Sequence, residues 1–470
     1  MTPHIDAHDL RAALGPIAGD GPSLRELADS ILVPKWPALR LNPLGPAVPL
    51  SSIPFVGAAV PWYAGAAFWF ALPAERTPDP VPRPAGHPLF AAGAYYVQDA
   101  ASLLPISLLD PRPGERICDL CASPGGKATA ILERLGDAGW LLANEPVRSR
   151  LPPLLLNLAR HGGTHWAVTN LDPDALADAL GPAFDAVLVD APCTAQSLAA
   201  HERQPGRSFD TRAIQHNAAR QARILAAAVR LLRPGGRLVY TTCTFSWAEN
   251  EAQVTGLLEG FAGLRADPAA VLAAYADGPV PACYRLWPHR HGCAGGFAAR
   301  VVAGDSTDRE RTSPGAKPGR TRVPGARGLF AGSAESRARA PAFDRIPGEW
   351  GRWLRPVHVE ALRDRAFAWP EGMPDGWRRI AVAGPEAAFV KGRTWFPAYA
   401  LAMRRDGAFE SHGRADVDIA GACRFLRGES FPGAERGWIT IGYGGHALGW
   451  AKGDGRVFTN HLPKSARMLL

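Results

Sequence analysis

The chain has 470 residues, a formal charge of +8 and a pI of about 9.3. With 47% hydrophobic and 20% charged residues it has the balance of a globular chain rather than of a disordered or fibrous one, and at roughly 100–200 residues per domain it is expected to hold two or three domains. The seven cysteines are odd in number and scattered, which speaks against a disulfide framework.

The positive balance favours polyanions, with nucleic acid the first candidate. Residues 1–11 are acidic and polar, without an apolar signal core, and no run reaches about 18 apolar residues. A cytoplasmic chain with no membrane partner is therefore expected.

Residues 1–92 read as a small N-terminal α/β lobe. The stretch 37–44 gives a short apolar strand that stops at a turn. Prolines 78, 80, 82, 84 and 88 punctuate residues 76–88, so that segment reads as a connector rather than a helix or central strand. Between 93 and 302 short apolar strands alternate with helical stretches. Strands are expected at 115–121, 140–144, 165–169, 184–190 and 236–241. Helices are expected at 128–135, 148–161 and 212–232. This alternation predicts right-handed βαβ units and a parallel sheet with helices on both faces, a Rossmann-like α/β fold. Residues 303–345 are dense in Arg, Gly, Pro, Ser and Ala and read as a flexible basic linker, either an inert spacer or an RNA-touching arm. Residues 346–470 read as a third globular unit. In it, 438–443 and 446–450 form a β-hairpin turning at Gly444 and Gly445, followed by a tail carrying Lys452, Arg456, Lys464 and Arg467.

Three features gather at strand ends. Asp119-Leu-Cys-Ala-Ser-Pro-Gly-Gly-Lys127 sits where a strand turns into a helix, the place where open α/β sheets bind ligands. It is neither G-x-G-x-x-G nor a Walker loop. Glu145, about 20 positions on, suits ribose hydroxyls. Asp172 suits either an adenine amino group or the N-cap of a helix starting at Pro173. Together these describe a nucleoside-bearing cofactor, with S-adenosylmethionine favoured because no pyrophosphate fingerprint is present.

Two cysteines decide the chemistry. Asp190-Ala-Pro-Cys193 closes one strand and Thr241-Thr-Cys243 closes the next, which brings both thiols to the rim that carries the cofactor loop. Carbon 5 of cytosine is a poor nucleophile. A thiolate added to carbon 6 makes it an enamine carbon that accepts a methyl group. A carboxylic acid near N3, for which Asp190 is the candidate, would stabilise the adduct, and a base must then remove the carbon 5 proton. The target base must leave its stack to reach such a pocket.

These motifs resemble the RNA cytosine-5 methyltransferases of the Nol/Nop/Sun type, in particular the bacterial ribosomal-RNA members with a C-terminal accessory domain. The resemblance runs from about residue 93 to 300. It includes Ala94-Tyr-Tyr-Val-Gln-Asp-Ala-Ala-Ser-Leu-Leu-Pro105, the cofactor loop, Arg148-Ser-Arg-Leu151, the two cysteine motifs, Glu249-Asn-Glu251, and Leu286-Trp-Pro-His289 with Gly295-Gly-Phe297. A weaker likeness covers 449–452 and 460–464. The resemblance implies a class I methyltransferase fold and a C-terminal α+β RNA-binding domain. It makes Cys243 the nucleophile and Cys193 the release thiol, with Asp190 and Lys127 also catalytic. It implies S-adenosylmethionine contacts from Cys121, Ala122, Ser123, Pro124, Gly125, Gly126, Lys127, Glu145, Arg150, Asp172 and Asp190, and assigns no metal. The implied partner is structured RNA, ribosomal RNA or a ribosomal subunit, bound by a monomer. Transfer RNA is the alternative substrate, and a silent RNA-binding assembly factor the alternative role. One departure stands out. Thr194-Ala-Gln-Ser197 replaces the family's Ser-Gly continuation, and the Cβ of Ala195 is expected to alter the turn beside Cys193.

Overall fold

The structure, a computed structural model, describes residues 5–19, 21–53, 55–71, 83–201, 205–304, 357–362, 364–406 and 413–468. All of the expected basic linker after residue 304 lies outside these, as do residues 76–82 of the expected connector.

The chain opens with helices α1 (Ala7–Leu14) and α2 (Gly21–Ile31). Asp6 caps α1, its carboxylate accepting the His8 N–H at 2.7 Å. The apolar faces, through Leu10, Leu14, Leu27 and Ile31, form one cluster with Ile214, Phe245 and Trp287. The N-terminus is thereby packed on the segment that follows Cys243. Strands β1 (Ala38–Leu41), β2 (Val56–Ala59) and β3 (Ala67–Phe70) then lead to the short helix α3 (Pro88–Ala91) and to β4 (Tyr95–Gln98). They form an antiparallel sheet in the order β2-β3-β1-β4, so the lobe's sheet is completed by a strand beyond residue 92. The last proline of the punctuated stretch, Pro88, opens α3 at a position where its missing N–H costs nothing.

The central unit follows: α4 (Leu104–Leu109), β5 (Arg116–Asp119), α5 (Gly126–Leu135), β6 (Trp140–Asn144), α6 (Leu151–His161), β7 (Trp166–Thr169), α7 (Pro173–Leu180), β8 (Phe184–Asp190), α8 (Thr211–Leu231) and β9 (Leu232–Thr242). Then come α9 (Glu251–Gly260), β10 (Leu264–Ala266), β11 (Cys283–Leu286), α10 (Pro288–His291) and β12 (Gly296–Ala303). The sheet runs β10-β12-β9-β8-β5-β6-β7 with β11 paired to β12. Strands β5 to β9 are parallel, as the alternation predicts, and their interior residues are almost wholly buried. Strands β10, β11 and β12 add antiparallel pairings at one side. The order reverses between β5 and β8. Right-handed crossovers then put α5 and α6 on one face and α7 and α8 on the other, and the reversal opens a crevice at the carboxyl ends of β5 and β8.

The C-terminal part carries two small sheets. One runs β13 (Val357–Leu362), β14 (Arg365–Pro370), β15 (Glu386–Lys391), β16 (Thr394–Pro397). The other contains β17 (Arg414–Asp416), β18 (Phe431–Pro432), β19 (Arg436–Tyr443), β20 (His446–Asp454) and β21 (Val457–Asn460), in the order β17-β19-β20-β21-β18. The expected hairpin is β19–β20, and Gly444 and Gly445 turn it at φ +55° and +82°. The segment before β15 covers the free edge of β7: the Val168 N–H donates to Ala383 O and the Val382 N–H to Val168 O, both at 2.8 Å. Trp369, Trp377 and Ile380 join the central core there.

Candidate functional site

The loop after β5 is held from several directions. The Leu120 N–H donates to Leu188 O and the Ala122 N–H to Asn144 O. Asn144 is buried, donating to Leu120 O and Leu171 O and accepting from Thr169 and from the Leu171 N–H. Arg150 donates to Ser123 O at 2.7 Å while the Ser123 hydroxyl returns a bond to Arg150 O at 2.8 Å. Asn157 holds Pro124 O at 2.7 Å. Gly125 caps α5 at φ +111°, a conformation L side chains rarely adopt. At Gly126 a Cβ would stand 3.1 Å from the Tyr96 ring. Cys121 and Ala122 are buried beneath the loop, and burial pushes the Cys121 thiol far up.

Glu145, at the end of β6, is buried. Its Oε1 accepts the Val147 N–H at 2.8 Å, and Arg150 stands 3.5 Å from Oε2, which is buried without a hydrogen bond. A buried carboxylate oxygen left open beside a glycine loop fits the hydroxyls of a ribose. Asp172 caps α7: one oxygen accepts the Asp174 N–H and the other pairs with Arg223, each at 3.1 Å.

The two thiols meet because β8 and β9 are parallel neighbours with Asp190 opposite Thr241. Cys193 Sγ and Cys243 Sγ lie 3.3 Å apart, and both thiols are free. The hydrogen bond to Cys243 and burial hold the Cys193 thiol far above its ordinary value. Glu249 binds the two loops together. Its carboxylate accepts from the Thr194 N–H at 3.0 Å, the Thr194 hydroxyl at 2.5 Å and Gln221 at 2.9 Å, and the Thr244 hydroxyl is 3.5 Å away. Gln196 accepts the Phe245 N–H, and the Ser197 N–H donates to Cys243 O. Ala195 sits at φ +55°, so the turn keeps a conformation suited to glycine despite its Cβ.

A cleft of about 150 Å³ opens on Cys243. Its lining includes Lys127, Asp190, Asp99, Ser197 and Gly295. Lys127 Nζ and Asp190 Oδ2 are 2.8 Å apart. Burial pulls the Lys127 ammonium down, but Asp190, Cys243 and Asp119 outweigh it and the net shift is upward. Asp119 lies behind the pair with both oxygens buried and without a well-formed hydrogen bond. Burial, then the charge of Asp190, pushes its pKa up to about 8. Asp99 accepts the N–H groups of Ala101 and Ala294, and burial raises it too.

The structure thus brings Cys243, Cys193, Asp190 and Lys127 to one rim, with the loop 121–127, Glu145 and Arg150 beside them. Sequence reasoning gave no site role to Asp99, Asp119 or Glu249. Each stood inside a motif it had singled out, and the motif was the available signal.

A parallel sheet with its reversal at β5/β8, a glycine loop and an open ribose-type carboxylate define a Rossmann-like, S-adenosylmethionine-dependent methyltransferase. The family described as 16S rRNA methyltransferase RsmB/F matches residues 106–302, and the methyltransferase RsmF PUA domain matches 414–468. Ribosomal RNA small subunit methyltransferase F of Aeromonas salmonicida is 31% identical over 421 residues, covering 86% of this chain and 84% of its own length. Its namesake in Aeromonas hydrophila is 32% identical over 427 residues with the same coverage. The chain belongs to this family of RNA methyltransferases. A methyltransferase homologue from Pyrococcus horikoshii shares 26% identity at a TM-score of 0.52, over 60% of this chain and 91% of its own. NSun6 from the same organism, solved with SFG, shares the fold at 20% identity and a TM-score of 0.54, over 63% of this chain and 97% of its own. Among the described residues no helix is long and apolar enough to cross a membrane.

Proposed function

We propose that the chain methylates carbon 5 of a cytosine in small-subunit ribosomal RNA through a covalent bond from Cys243. The observation that carries this reading is the pair of rim thiols 3.3 Å apart, of which Cys243 lines one cleft together with Lys127 and Asp190. A single buried thiol would be filler; two on one rim match a reaction with an attack step and a release step.

The cofactor supplies an electrophilic methyl group. Glu145 would hold the ribose hydroxyls with its open oxygen, the loop 121–127 would hold the rest with Arg150 fixing that loop, and Asp172 would hold the adenine amino group. Cys193 is kept protonated by its hydrogen bond to Cys243 and by burial, which leaves the attack to Cys243. Its sulfur bonds to carbon 6 of the cytosine, and N3 gains a proton from the Lys127–Asp190 pair. The ring electrons pushed to carbon 5 would form the new bond to the methyl carbon as its bond to the cofactor's sulfonium sulfur breaks, with S-adenosylhomocysteine as the leaving group. Because Cys193 keeps its own proton, a water that it positions takes the carbon 5 proton. The C–S bond then breaks, N3 returns its proton, and Cys243 leaves as the thiolate. The C-terminal domain docks RNA through Lys and Arg on phosphates, a salt-sensitive contact that carries no sequence information. The working form is a monomer in the cytoplasm, acting on ribosomal RNA or a ribosomal subunit.

The test is methyl transfer from labelled S-adenosylmethionine to total RNA from cells lacking the protein, with 5-methylcytosine mapped. Label at one cytosine of small-subunit ribosomal RNA is expected. Label confined to transfer RNA would replace the substrate, and no label despite normal cofactor binding would overturn the reading.

A further inference from the structure

A second pocket, of about 320 Å³, lies where three parts of the chain meet. Leu44, Gly45 and Pro46 come from the loop after β1, Arg404 and Arg405 from the segment after residue 403, and Arg414, Thr440 and His446 from the C-terminal sheet. Its polar wall is unfinished. Arg405 Nη1, Thr440 Oγ1 and His446 Nδ1 are buried without a hydrogen-bond partner. Thr440 and His446 are only 4% and 2% exposed. Three open polar atoms on one wall are an unusual concentration, because buried polar groups are nearly always paired.

The charges point the same way. Arg404 is matched by Asp406, and Arg414 by Asp416 at 2.8 Å. Arg405 pairs with no carboxylate among the described residues. It donates to Ala92 O at 2.6 Å and lies so close to Gly45 that a Cβ there would overlap its guanidinium. A part-buried guanidinium without a carboxylate partner among the described residues, beside a hydroxyl and an imidazole, is the donor set of an oxyanion site. The pocket adjoins the carboxyl end of α6, where the Arg405 N–H donates to Gly162 O. The other end of α6 begins beside the cofactor loop, roughly 16 Å away at 1.5 Å per residue.

We infer that this junction pocket binds a phosphate group of the RNA strand, held by Arg405, Arg414, Thr440 and His446. The inference rests on the reading of the chain as an RNA-binding enzyme, but not on which base or carbon is methylated.

The test uses the full chain, a transcript of small-subunit ribosomal RNA, and variants Thr440→Val and Arg414→Gln. Thr440→Val removes a hydroxyl that has no partner in the protein, so it leaves thermal stability equal or higher. It is expected to weaken RNA binding about 5-fold, the scale of one lost hydrogen bond. Arg414→Gln is expected to weaken it about 10-fold and to lower the salt slope by about one. Inorganic phosphate, at ionic strength held constant with chloride, should compete with RNA for the parent chain and not for Thr440→Val. S-adenosylhomocysteine binding should be unchanged in both variants. Unaltered RNA affinity in Thr440→Val overturns the inference. So does phosphate that stabilises the protein to heat without displacing RNA, since the pocket would then serve free phosphate. Failure to find 5-methylcytosine, with these affinity losses intact, would defeat the proposed reaction and leave the pocket standing.

Discussion

Cys193 and Cys243 approach to 3.3 Å although 50 residues separate them, because parallel pairing of β8 with β9 delivers both loops to the same end of the sheet. The hydrogen bond to Cys243 and burial hold the Cys193 thiol far above its ordinary value, so Cys193 keeps its proton. Cys243→Ala should abolish turnover. Cys193→Ala should retain attack and lose release, leaving an RNA–protein adduct that survives denaturing electrophoresis. Methyl transfer at the parent rate by Cys243→Ala would refute its role as nucleophile.

Glu249 holds this geometry without standing in the cleft. Its oxygens accept from the Thr194 N–H and hydroxyl and from Gln221, tying the loop after Cys193 to the strand end that bears Cys243. Glu249→Gln can leave its amide oxygen to the Thr194 N–H and Gln221, but the charged acceptor is lost and the Thr194 and Thr244 hydroxyls must turn from donors to acceptors, which costs about 1–3 kcal/mol. Turnover should fall about 10- to 100-fold, as expected when loop geometry slips, with S-adenosylhomocysteine affinity within about 2-fold of the parent. Calorimetric titration beside single-turnover methylation separates the two. Equal losses in binding and turnover would show general misfolding instead.

The elements nearest the site were the most legible. Residues 184–190 form a nearly continuous apolar run, and β8 spans those same residues. The hairpin turn at Gly444–Gly445 was readable because two adjacent glycines at a strand reversal admit few other conformations. Of the antiparallel strands at the sheet's side, β11 and β12 were legible only through the resemblance of Leu286-Trp-Pro-His289 and Gly295-Gly-Phe297 to the family's last strands, and β10, three residues long and without βαβ spacing, was not. The motif Glu249-Asn-Glu251 marked Glu249, but its role was not readable, because its partners at 194 and 221 are far away in sequence. Ala195 shows the reverse case. Its Cβ was expected to alter the turn, yet the residue takes φ +55° in place. The rest of the network, Glu249 on Thr194 and Gln196 on Phe245, fixes the loop on both sides of it.

Arg40 is a buried cation inside an apolar strand. Its guanidinium pairs with Glu133 at 2.9 Å and donates to Gln98, to Gly126 O at 2.7 Å and to Thr129 at 2.7 Å. It therefore clamps the N-terminal sheet to the first turn of α5, the helix the cofactor loop leads into. Arg40→Ala leaves Glu133 buried and unpaired by Arg, a loss of about 3–5 kcal/mol. Urea denaturation should register this. Cofactor affinity should fall with it, because the Gly126 carbonyl loses its anchor. A variant as stable as the parent would mean that Glu133 finds another partner, with His161, at 3.6 Å, the nearest candidate.

Asp119 gives a prediction in pH. Burial, followed by the charges of Asp190 and Glu145, raises its carboxyl to about 8, against the opposing pull of Lys127 and the Cys121 backbone. In the unfolded chain it titrates near the ordinary value of 3.8. Between these values the folded protein holds a proton that the unfolded chain has lost. The contribution is therefore fully present below about 4 and falls as pH rises towards about 8. Asp119→Asn keeps the shape and removes the titration. The cofactor-free parent should lose melting temperature relative to Asp119→Asn between pH 6 and pH 8.5, by about 2–4 °C for each kcal/mol involved. Differential scanning calorimetry at several pH values reads the difference directly. Parallel curves for the two proteins would mean that Asp119 is already ionised in the fold, held so by Lys127.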